Sequence, residues 1–247
     1  MKARFLYRAL KARYRGERQE VAAVLRGLAP GDVAVDAGAH KGAYTYWMRR
    51  AVGERGRVLA FEPQPRLAAY LTSVSDSLRW SNVSVRDCAL SDTAGSGTLR
   101  VPRLGSSQGA ALFALSEGPA GQNEEAVTVR LSTLDTELAG AGRVAFLKVD
   151  VEGHELAVFR GAARILTEDA PIVLFECERR HLSGHAMQDV FAYLLALGYE
   201  GRFFGVRGLQ PLSEFDPEIH QRRAPGRFWA EAGYCNNFLF TPRRPRA

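Results

Sequence analysis

Short apolar runs alternate with amphipathic segments along most of the chain. Before residue 180 the runs rich in β-branched residues lie at 32–37, 57–62, 82–87, 144–150 and 171–176. Helix-like patterns follow all but the third of these runs, as in HELAVFRGAARIL after the fourth. Such alternation is typical of a parallel sheet whose strands are joined by crossover helices. Two more strand-like runs follow, GYEGRFFGV and YCNNFLFTP. The pattern predicts one α/β domain over residues 30–242.

The segment between the third and fourth runs breaks this rhythm. It is long, polar and rich in Gly and Ser, and it contains two β-like pieces, TLRV and AVTVRL. We predict an inserted β-ribbon with a lid over about 94–130, because long loops in compact domains are more often functional than idle. The best candidate for a substrate lid is Leu104 to Gln122, and plain disorder is the alternative interpretation of the same composition.

Composition narrows the class of protein. The 247 residues are 46% hydrophobic and 24% charged, which supports one well-buried globular domain. No apolar stretch approaches the roughly 20 residues of a membrane span, and the first residues lack the apolar core of a secretory signal. Three cysteines without metal-site spacing fit a reducing compartment. We therefore expect a cytoplasmic protein.

The net charge of +6 is concentrated at the two ends of the chain. The first twenty residues hold seven basic and two acidic residues, and the last five hold three arginines, which leaves the remainder at −2. We predict a basic helical extension over residues 1–29 and a basic tail over 243–247. The extension could form an amphipathic helix that touches anionic lipid or a partner. A helix packed on the edge of the domain is the interpretation we favour.

Acidic residues recur where the predicted strands end. They are Asp36, Glu62, Asp87, Asp150 and Glu176. In doubly wound sheets, ligands bind at the carboxyl ends of the strands, whereas a surface strand would alternate such residues along its length. The sequence therefore predicts a ligand site at one edge of the sheet.

The stretch VDAGAHKGAYTYW, after the first predicted strand, indicates which ligand. Gly38 and Gly42 allow positive φ and a close approach of the backbone. Glu62, 26 residues after Asp36, is placed to accept the hydroxyls of a ribose. His40 interrupts the GxGxxG pattern of dinucleotide sites, and Asp36 would repel a pyrophosphate but attract a cationic sulfonium. These features favour S-adenosylmethionine over NAD.

In order along the chain, the motifs VDAGAHKGAYT, AFEPQP, CALSDTAG, STLD, LKVDVEGHEL and VLFEC resemble those of the FkbM-type methyltransferases. The resemblance implies a class I methyltransferase, Rossmann-like fold: a seven-stranded, mostly parallel sheet with helices on both faces and a reversed hairpin at one edge. It also implies S-adenosylmethionine-dependent O-methylation of a sugar, glycan or secondary metabolite. The His40-Lys41 pair departs from the wording that is most frequent in the family.

The resemblance also implies roles for individual residues. The methionine and ribose side of the cofactor is assigned to Asp36, Gly38, Ala39, His40, Gly42 and Tyr44, with Glu62 on the ribose hydroxyls. Asp87, Cys88 and Ala89 would flank the adenine, with Leu90 as an apolar wall. Asp150 would face the methionine amino group or the substrate.

Methyl transfer to a hydroxyl requires removal of a proton, and DVEGHE is where we expect the base. His154 is the first choice because imidazole titrates near neutrality, assisted by Asp150 and Glu152. The alternatives are a histidine that only bonds a carboxylate and a glutamate that only favours the helix terminus. A divalent metal held by Glu176 with these acids is possible but not favoured. His181 and His185 are placed on a surface loop.

The expected partner is a small-molecule or sugar hydroxyl substrate. Three other functions stay open: an RNA methyltransferase, suggested by the basic ends; an NAD-dependent oxidoreductase; and a non-catalytic protein that binds a nucleoside cofactor. We do not favour a nucleic-acid partner, because no RNA-binding module is recognisable. We expect no membrane span, and a homodimer is possible through the apolar final strand.

Overall fold

The structure is a computed structural model that describes residues 2–102, 124–224, 226, 228, 231 and 233–243. Its largest element is an eight-stranded sheet with the order β10-β9-β11-β8-β7-β1-β2-β3. The strands of this sheet are β1 (Val33–Ala37), β2 (Arg57–Phe61), β3 (Val83–Arg86), β7 (Val144–Val149), β8 (Ile172–Glu176), β9 (Tyr199–Gly205), β10 (Gly208–Pro211) and β11 (Asn237–Pro242). The predicted α/β fold is confirmed. The sheet has one strand more than predicted, because β10 extends the edge hairpin.

The central strands are parallel and buried on both faces. β1 pairs with β2 and β7, β2 pairs with β3, and β7 pairs with β8, all in parallel register. Every residue of β1 and β7 is buried, which explains their near-continuous apolar sequences. Parallel strands end at the same edge, so the acids that close them are brought to one side of the sheet.

The other edge of the sheet is antiparallel. β11 lies between β8 and β9 and is antiparallel to both, and β10 pairs with β9. The sequence analysis allowed the apolar final strand to pair across a dimer. That route is wrong, because both edges of β11 are already hydrogen-bonded within the chain; a homodimer through another surface stays a prediction.

A second, small sheet follows β3. It consists of β4 (Ala89–Leu90), β5 (Gly95–Pro102) and β6 (Glu124–Ser132), in the order β4-β6-β5. β5 and β6 are antiparallel and paired from Gly95↔Leu131 to Pro102↔Glu124, where the sequence predicted a ribbon. The lid predicted at 104–122 lies outside the described residues.

Helices cover both faces of the large sheet. They are α1 (Lys2–Lys11), α2 (Arg18–Gly27), α3 (Ala43–Val52), α4 (Pro65–Ser77), α5 (Leu134–Glu137), α6 (Glu155–Arg160), α7 (Met187–Ala196) and α8 (Pro217–His220). One core cluster joins α2 and α3 to Ala34, Phe146 and Leu174 of the sheet. The other joins α5, α6 and α7 to Val35, Leu147 and Phe175. Side chains alternate along each strand, so these clusters lie on opposite faces.

The N-terminal helices pack onto the domain. Phe5 and Ala9 of α1 are fully buried, and a π-helical turn at Ala12–Gly16 leads into α2. The indole nitrogen of Trp47 in α3 donates to the carbonyl oxygen of Ala9 at 2.8 Å. In the part of the chain that the structure describes, no helix is both long and apolar enough to cross a bilayer.

Candidate active site

Asp36 lies at the centre of a charged rim formed by the carboxyl ends of β1, β2 and β7. It stands in register with Lys148 of β7, and both side chains are buried. The lysine Nζ is 3.6 Å from Asp36 Oδ1, 3.2 Å from Asp150 Oδ2 and 3.3 Å from the carbonyl oxygen of Gly38. The other carboxylate oxygen of Asp36 accepts a hydrogen bond of 2.6 Å from the Thr45 hydroxyl. The carboxylate is therefore held in one orientation.

Lys148 is the residue that sets the charge of this rim, and the sequence analysis did not single it out. Burial acts to lower the pKa of its ammonium group, but the carboxylates of Asp150 and Asp36 outweigh burial and raise the pKa. The ammonium also lies 4.9 Å from the centroid of the Tyr44 ring, at cation–π distance. Lys148 thus stays charged and neutralises part of the acid cluster.

Glu62 follows β2 and turns its carboxylate towards the loop after β1. Its two oxygens accept backbone hydrogen bonds from His40 at 2.7 Å and from Gln64 at 2.9 Å. Burial raises the pKa of Glu62 to about 7, against the lowering effect of these two hydrogen bonds. Each carboxylate oxygen has two lone pairs, so both can also accept a ligand hydroxyl. This arrangement fits the predicted contact with a ribose.

The glycine turn between β1 and α3 is tightly bonded within the chain. Gly38 and Gly42 have φ of 76° and 78°, as glycines in such turns allow. A Cβ on Gly38 would lie 1.8 Å from the carbonyl oxygen of Asp150, and one on Gly42 would lie 2.4 Å from Leu71. These two glycines therefore allow neighbouring segments of the protein to pack closely against the turn. They leave room for a ligand above the turn in the same way.

The backbone N–H groups of this turn are also committed. Those of Gly38 and Ala39 both donate to the carbonyl oxygen of Phe61, that of Gly42 donates to Ala39, and that of His40 donates to Glu62. A pyrophosphate site needs such groups directed at the ligand. The turn therefore does not suit a dinucleotide, in agreement with the missing GxGxxG pattern.

Tyr44 connects the rim to the N-terminal helices. Its ring is buried, and its hydroxyl is hydrogen-bonded to the carboxylate of Glu17, which precedes α2. Burial raises the pKa of Glu17, and the bond to Tyr44 and the charge of Lys148 act against that rise. Glu17 was predicted to lie outside the domain, in the basic extension, and the local sequence gave no signal of this contact.

The residues predicted to flank an adenine fall into two environments. Asp87 follows β3 and is exposed, whereas Cys88 and Ala89 are buried. Burial raises the pKa of the Cys88 thiol to about 11, so the thiol stays protonated and packs in the core with Leu90. Among these residues Asp87 alone presents a charged group at the open edge.

The chemistry of the rim fits a nucleoside with a cationic centre. Three carboxyl groups, those of Asp36, Asp150 and Glu62, surround the single ammonium of Lys148. Asp36 Oδ1 is buried and accepts no hydrogen bond from the residues that the structure describes. A rim with this excess of acid attracts a sulfonium or an ammonium group and repels phosphate. The residues present therefore fit S-adenosylmethionine.

A cavity of about 700 Å³ opens on the face of the sheet that carries α6 and α7, and its described lining includes none of Asp36, Lys148 and Glu62. It lies between the segment after β4, the turn after β7, the 181–185 loop and α7. Its polar lining consists of Ser91, Asp92, Thr93, Glu152, His154, Arg160, His181, Ser183, His185, Asp189 and Tyr193. Of the predicted catalytic residues, His154 and Glu152 line the cavity and Asp150 does not.

His154 stands at the start of α6, with its ring in the cavity wall. Its Nε2 lies 2.9 Å from the hydroxyl of Ser91, which is 3.3 Å from Asp92 Oδ1. Burial lowers the pKa of His154; Asp92 opposes this and His185 adds to it. The imidazole is therefore neutral at neutral pH and able to accept a proton. Ser91 was not predicted from the sequence, and its position depends on a contact with a residue 63 positions away.

The turn before His154 is pressed against the 181–185 loop. Glu152 has φ of 48° and Gly153 has φ of 100°; positive φ is uncommon in a residue other than glycine. A Cβ on Gly153 would lie 2.2 Å from the carbonyl oxygen of His181, and Glu152 Oε2 lies 3.9 Å from His181 Nδ1. The histidines assigned to a surface loop from the sequence thus line the cavity.

Glu176, at the end of β8, is bonded to a neighbouring acid. Burial raises its pKa well above the ordinary value, and a hydrogen bond with Glu178 adds to the rise. Glu178 accepts hydrogen bonds from Arg180, Tyr234 and Asn236. Glu176 therefore carries a proton in this pair. Within the described residues, no group of three metal-binding side chains comes together.

A comparison with family models identifies one family, and comparisons with solved structures show the fold. A family model described as the methyltransferase FkbM domain matches residues 36–200. The FkbM methyltransferase of Methylobacillus flagellatus KT has a similar fold, with a TM-score of 0.52 and 17% identity over 96% of this chain. An rRNA methylase from Streptococcus thermophilus gives a TM-score of 0.51 and 10% identity over 91% of this chain and 95% of its own. These likenesses show the fold, and they confirm the predicted class I methyltransferase architecture.

The chain spans about half of the Methylobacillus protein, 53% of its length. No curated protein sequence matches the chain.

Proposed function

The chain belongs to the FkbM methyltransferase family, and on that premise we propose that it transfers the methyl group of S-adenosylmethionine to a hydroxyl of a small, polyol-like acceptor such as a sugar. The observation that carries this proposal is the position of the His154 imidazole, in the wall of the cavity and four residues after Asp150 of the acidic rim.

The lining of the cavity supports a hydroxyl-rich acceptor. Carboxylates, imidazoles and hydroxyls contribute to its lining together with apolar side chains such as Leu131 and Leu156, and each of these polar groups can donate or accept a hydrogen bond with a sugar hydroxyl. Arg160 is the one Lys or Arg among the described lining residues, against the acids Asp92, Glu152 and Asp189. A phosphate backbone would meet net repulsion there, so the RNA alternative has less support.

The proposed mechanism needs little covalent chemistry from the protein. When bound, S-adenosylmethionine supplies a methyl carbon already activated by its sulfonium. Asp36 and Asp150 would hold its cationic end, and Glu62 would hold its ribose hydroxyls. His154 Nε2 would accept the proton of the acceptor hydroxyl after Ser91 yields its hydrogen bond. Positioning and proton removal together account for the catalysis.

Two measurements test the proposal in sequence. Isothermal titration calorimetry with S-adenosylhomocysteine should show binding that Glu62→Gln weakens by about tenfold or more, through a lost charge-assisted hydrogen bond. The exposed Glu54→Gln in the segment after α3 is the matched control and should bind normally.

A radiolabelled methyl-transfer screen of sugars and polyketide alcohols then identifies the acceptor. Equal binding by both variants would remove Glu62 from the site, and methyl transfer to RNA but to no small acceptor would replace the hydroxyl proposal.

A further inference from the structure

The side of α1 that faces away from the domain combines cations with apolar side chains. We define the outer face of α1 as the exposed charged and large apolar residues of the helix, of the turn that follows it and of the first position of α2: Lys2, Arg4, Tyr7, Leu10, Lys11, Tyr14, Arg15 and Arg18. Tyr7, Leu10 and Tyr14 are 61%, 44% and 62% exposed, and they are three of the seven exposed large hydrophobic side chains in the described residues. Such concentration within one helix marks an interaction surface.

This outer face carries positive charge without a compensating acid. Its five cations are Lys2, Arg4, Lys11, Arg15 and Arg18. The nearest acid in sequence, Glu17, is turned inwards and bonded to the Tyr44 hydroxyl. The chain apart from its first twenty and last five residues has a net charge of −2, so the excess positive charge lies in the two terminal segments, and the first of these bears the outer face of α1.

The helix that bears this face is docked firmly. Phe5 is fully buried and packs edge to face with Trp80, with ring centroids 5.5 Å apart. Arg8 Nη1 donates to the Tyr70 hydroxyl at 3.3 Å, and the indole nitrogen of Trp47 donates to Ala9. Because the inner side is fixed in this way, the outer face is already ordered before it meets a partner, which lowers the entropic cost of binding.

We propose that the outer face of α1 docks the protein on an anionic membrane surface. Cations spread along a helix are attracted to anionic headgroups, while tyrosine and leucine side chains enter the shallow interfacial layer. A second copy of this chain is a poor occupant, because five cations would face five cations. Single-stranded RNA is bound in grooves that track its backbone, whereas this surface is the convex side of a helix.

Docking through this face leaves the cavity accessible. α1 packs against α3 and α4, whereas the cavity is lined by residues of α6 and α7 on the opposite face of the sheet. Substitutions on the outer face therefore do not touch the cofactor rim or the cavity. The proposal does not depend on the identity of the methyl acceptor, and the two can be tested separately.

Sedimentation of the full chain with vesicles tests the proposal. Vesicles of phosphatidylcholine mixed equally with phosphatidylglycerol should bind the protein, vesicles of phosphatidylcholine alone should not, and salt should weaken the binding. The variant R4Q/K11Q/R15Q should bind at least about tenfold more weakly. The matched control R55Q/R207Q/R223Q removes three exposed arginines elsewhere and should retain most of the binding.

A second variant, Y7S/L10S/Y14S, separates apolar insertion from charge. It should weaken binding while keeping its salt dependence, and thermal unfolding should show that both triple variants are folded. Equal binding to neutral and anionic vesicles, or equal losses in the control, would overturn the proposal. Binding to single-stranded RNA but not to vesicles, abolished by R4Q/K11Q/R15Q, would assign the face to nucleic acid and also overturn it.

Discussion

The carboxylate of Asp36 and the ammonium of Lys148 face each other across the neighbouring strands β1 and β7, 3.6 Å apart. Both are buried in the layer between the sheet and the N-terminal helices. This pair orients the loop after β1, because the same ammonium also bonds the carbonyl oxygen of Gly38. The ion pair therefore connects the packing of the sheet to the shape of the cofactor rim.

Removing the cation from this pair should destabilise the fold. We expect Lys148→Met to lower the free energy of unfolding by about 3 kcal/mol or more, because it leaves Asp36 charged and buried. Urea unfolding measures the change, with the exposed Lys2→Met as control. The double variant D36N/K148M should recover most of the loss. A loss below about 1 kcal/mol would indicate that water replaces the ammonium.

The buried Glu155 should make stability depend on pH. Its carboxylate accepts a hydrogen bond from the Gly153 N–H at 2.8 Å, and burial raises its pKa from 4.5 to about 7. Because the folded state binds this proton more tightly, the stabilisation is complete below pH 4.5 and is lost as the pH rises through about 7. Wild type should therefore lose up to about 3 kcal/mol relative to Glu155→Gln across that range.

Urea unfolding of wild type and Glu155→Gln at several pH values measures this difference. Glu62 titrates in the same range, but it is present in both proteins and cancels in the comparison. Glu54→Gln, at an exposed position, should run parallel to wild type. A constant difference between wild type and Glu155→Gln at all pH values would contradict the prediction.

His154 should govern the acid side of the pH profile of methyl transfer. Burial lowers its pKa from 6.5, so kcat/KM should stay level at neutral pH and fall only below about pH 6.5. His154→Asn should reduce kcat by about 10²–10⁴ and abolish this acid limb. Steady-state rates with the acceptor found in the screen provide the measurement.

His185→Asn is the matched cavity variant for that experiment. The electrostatic effect of His185 lowers the pKa of His154, so its removal should shift the acid limb to higher pH. An acid limb that persists in His154→Asn would assign the proton transfer to another group.

A side chain should destabilise the fold more at Gly153 than at Gly184 in the 181–185 loop. Both have positive φ, 100° and 79°, but a Cβ on Gly153 would meet His181 at 2.2 Å and one on Gly184 would meet nothing within 4 Å. Gly153→Ala should therefore destabilise by about 1–3 kcal/mol more than Gly184→Ala. Unfolding in urea compares the two, and similar losses would mean that the 181–185 loop moves freely away.

Glu17 and Tyr44 should be energetically coupled. A double-mutant cycle with Glu17→Gln and Tyr44→Phe should give a coupling energy of about 1 kcal/mol in unfolding experiments. Coupling would establish that the N-terminal helices support the rim. Additive effects of the two substitutions would place the hydroxyl and the carboxylate in independent environments.

The order of strands and the position of the rim could be predicted because their signals are local. The sequences of β1 and β7 are apolar runs because both faces of these strands are buried. Asp36, Glu62 and Asp150 lie at or next to the ends of their strands, on one edge of the sheet. The family motifs indicated the same edge, and the match over residues 36–200 confirms the family.

The cavity could not be predicted in the same way, because its walls meet only through long-range contacts. Ser91 reaches His154 across 63 positions, and His181 joins them because Gly153 has no Cβ. Glu17 reaches Tyr44 through the packing of α2. Lys148 is different, because a charged residue inside an apolar strand is a local signal that can be recognised in the sequence.

The place of β11 in the sheet has a consequence for biosynthesis. Phe238 and Phe240 fill the gap between β8 and β9, yet they are translated after every other strand of the sheet. Until residue 242 has left the ribosome, β8 presents an open edge and β9 has no neighbour on that side. The nascent chain therefore carries an unpaired β-edge late in synthesis, a state in which chaperone protection against aggregation matters most.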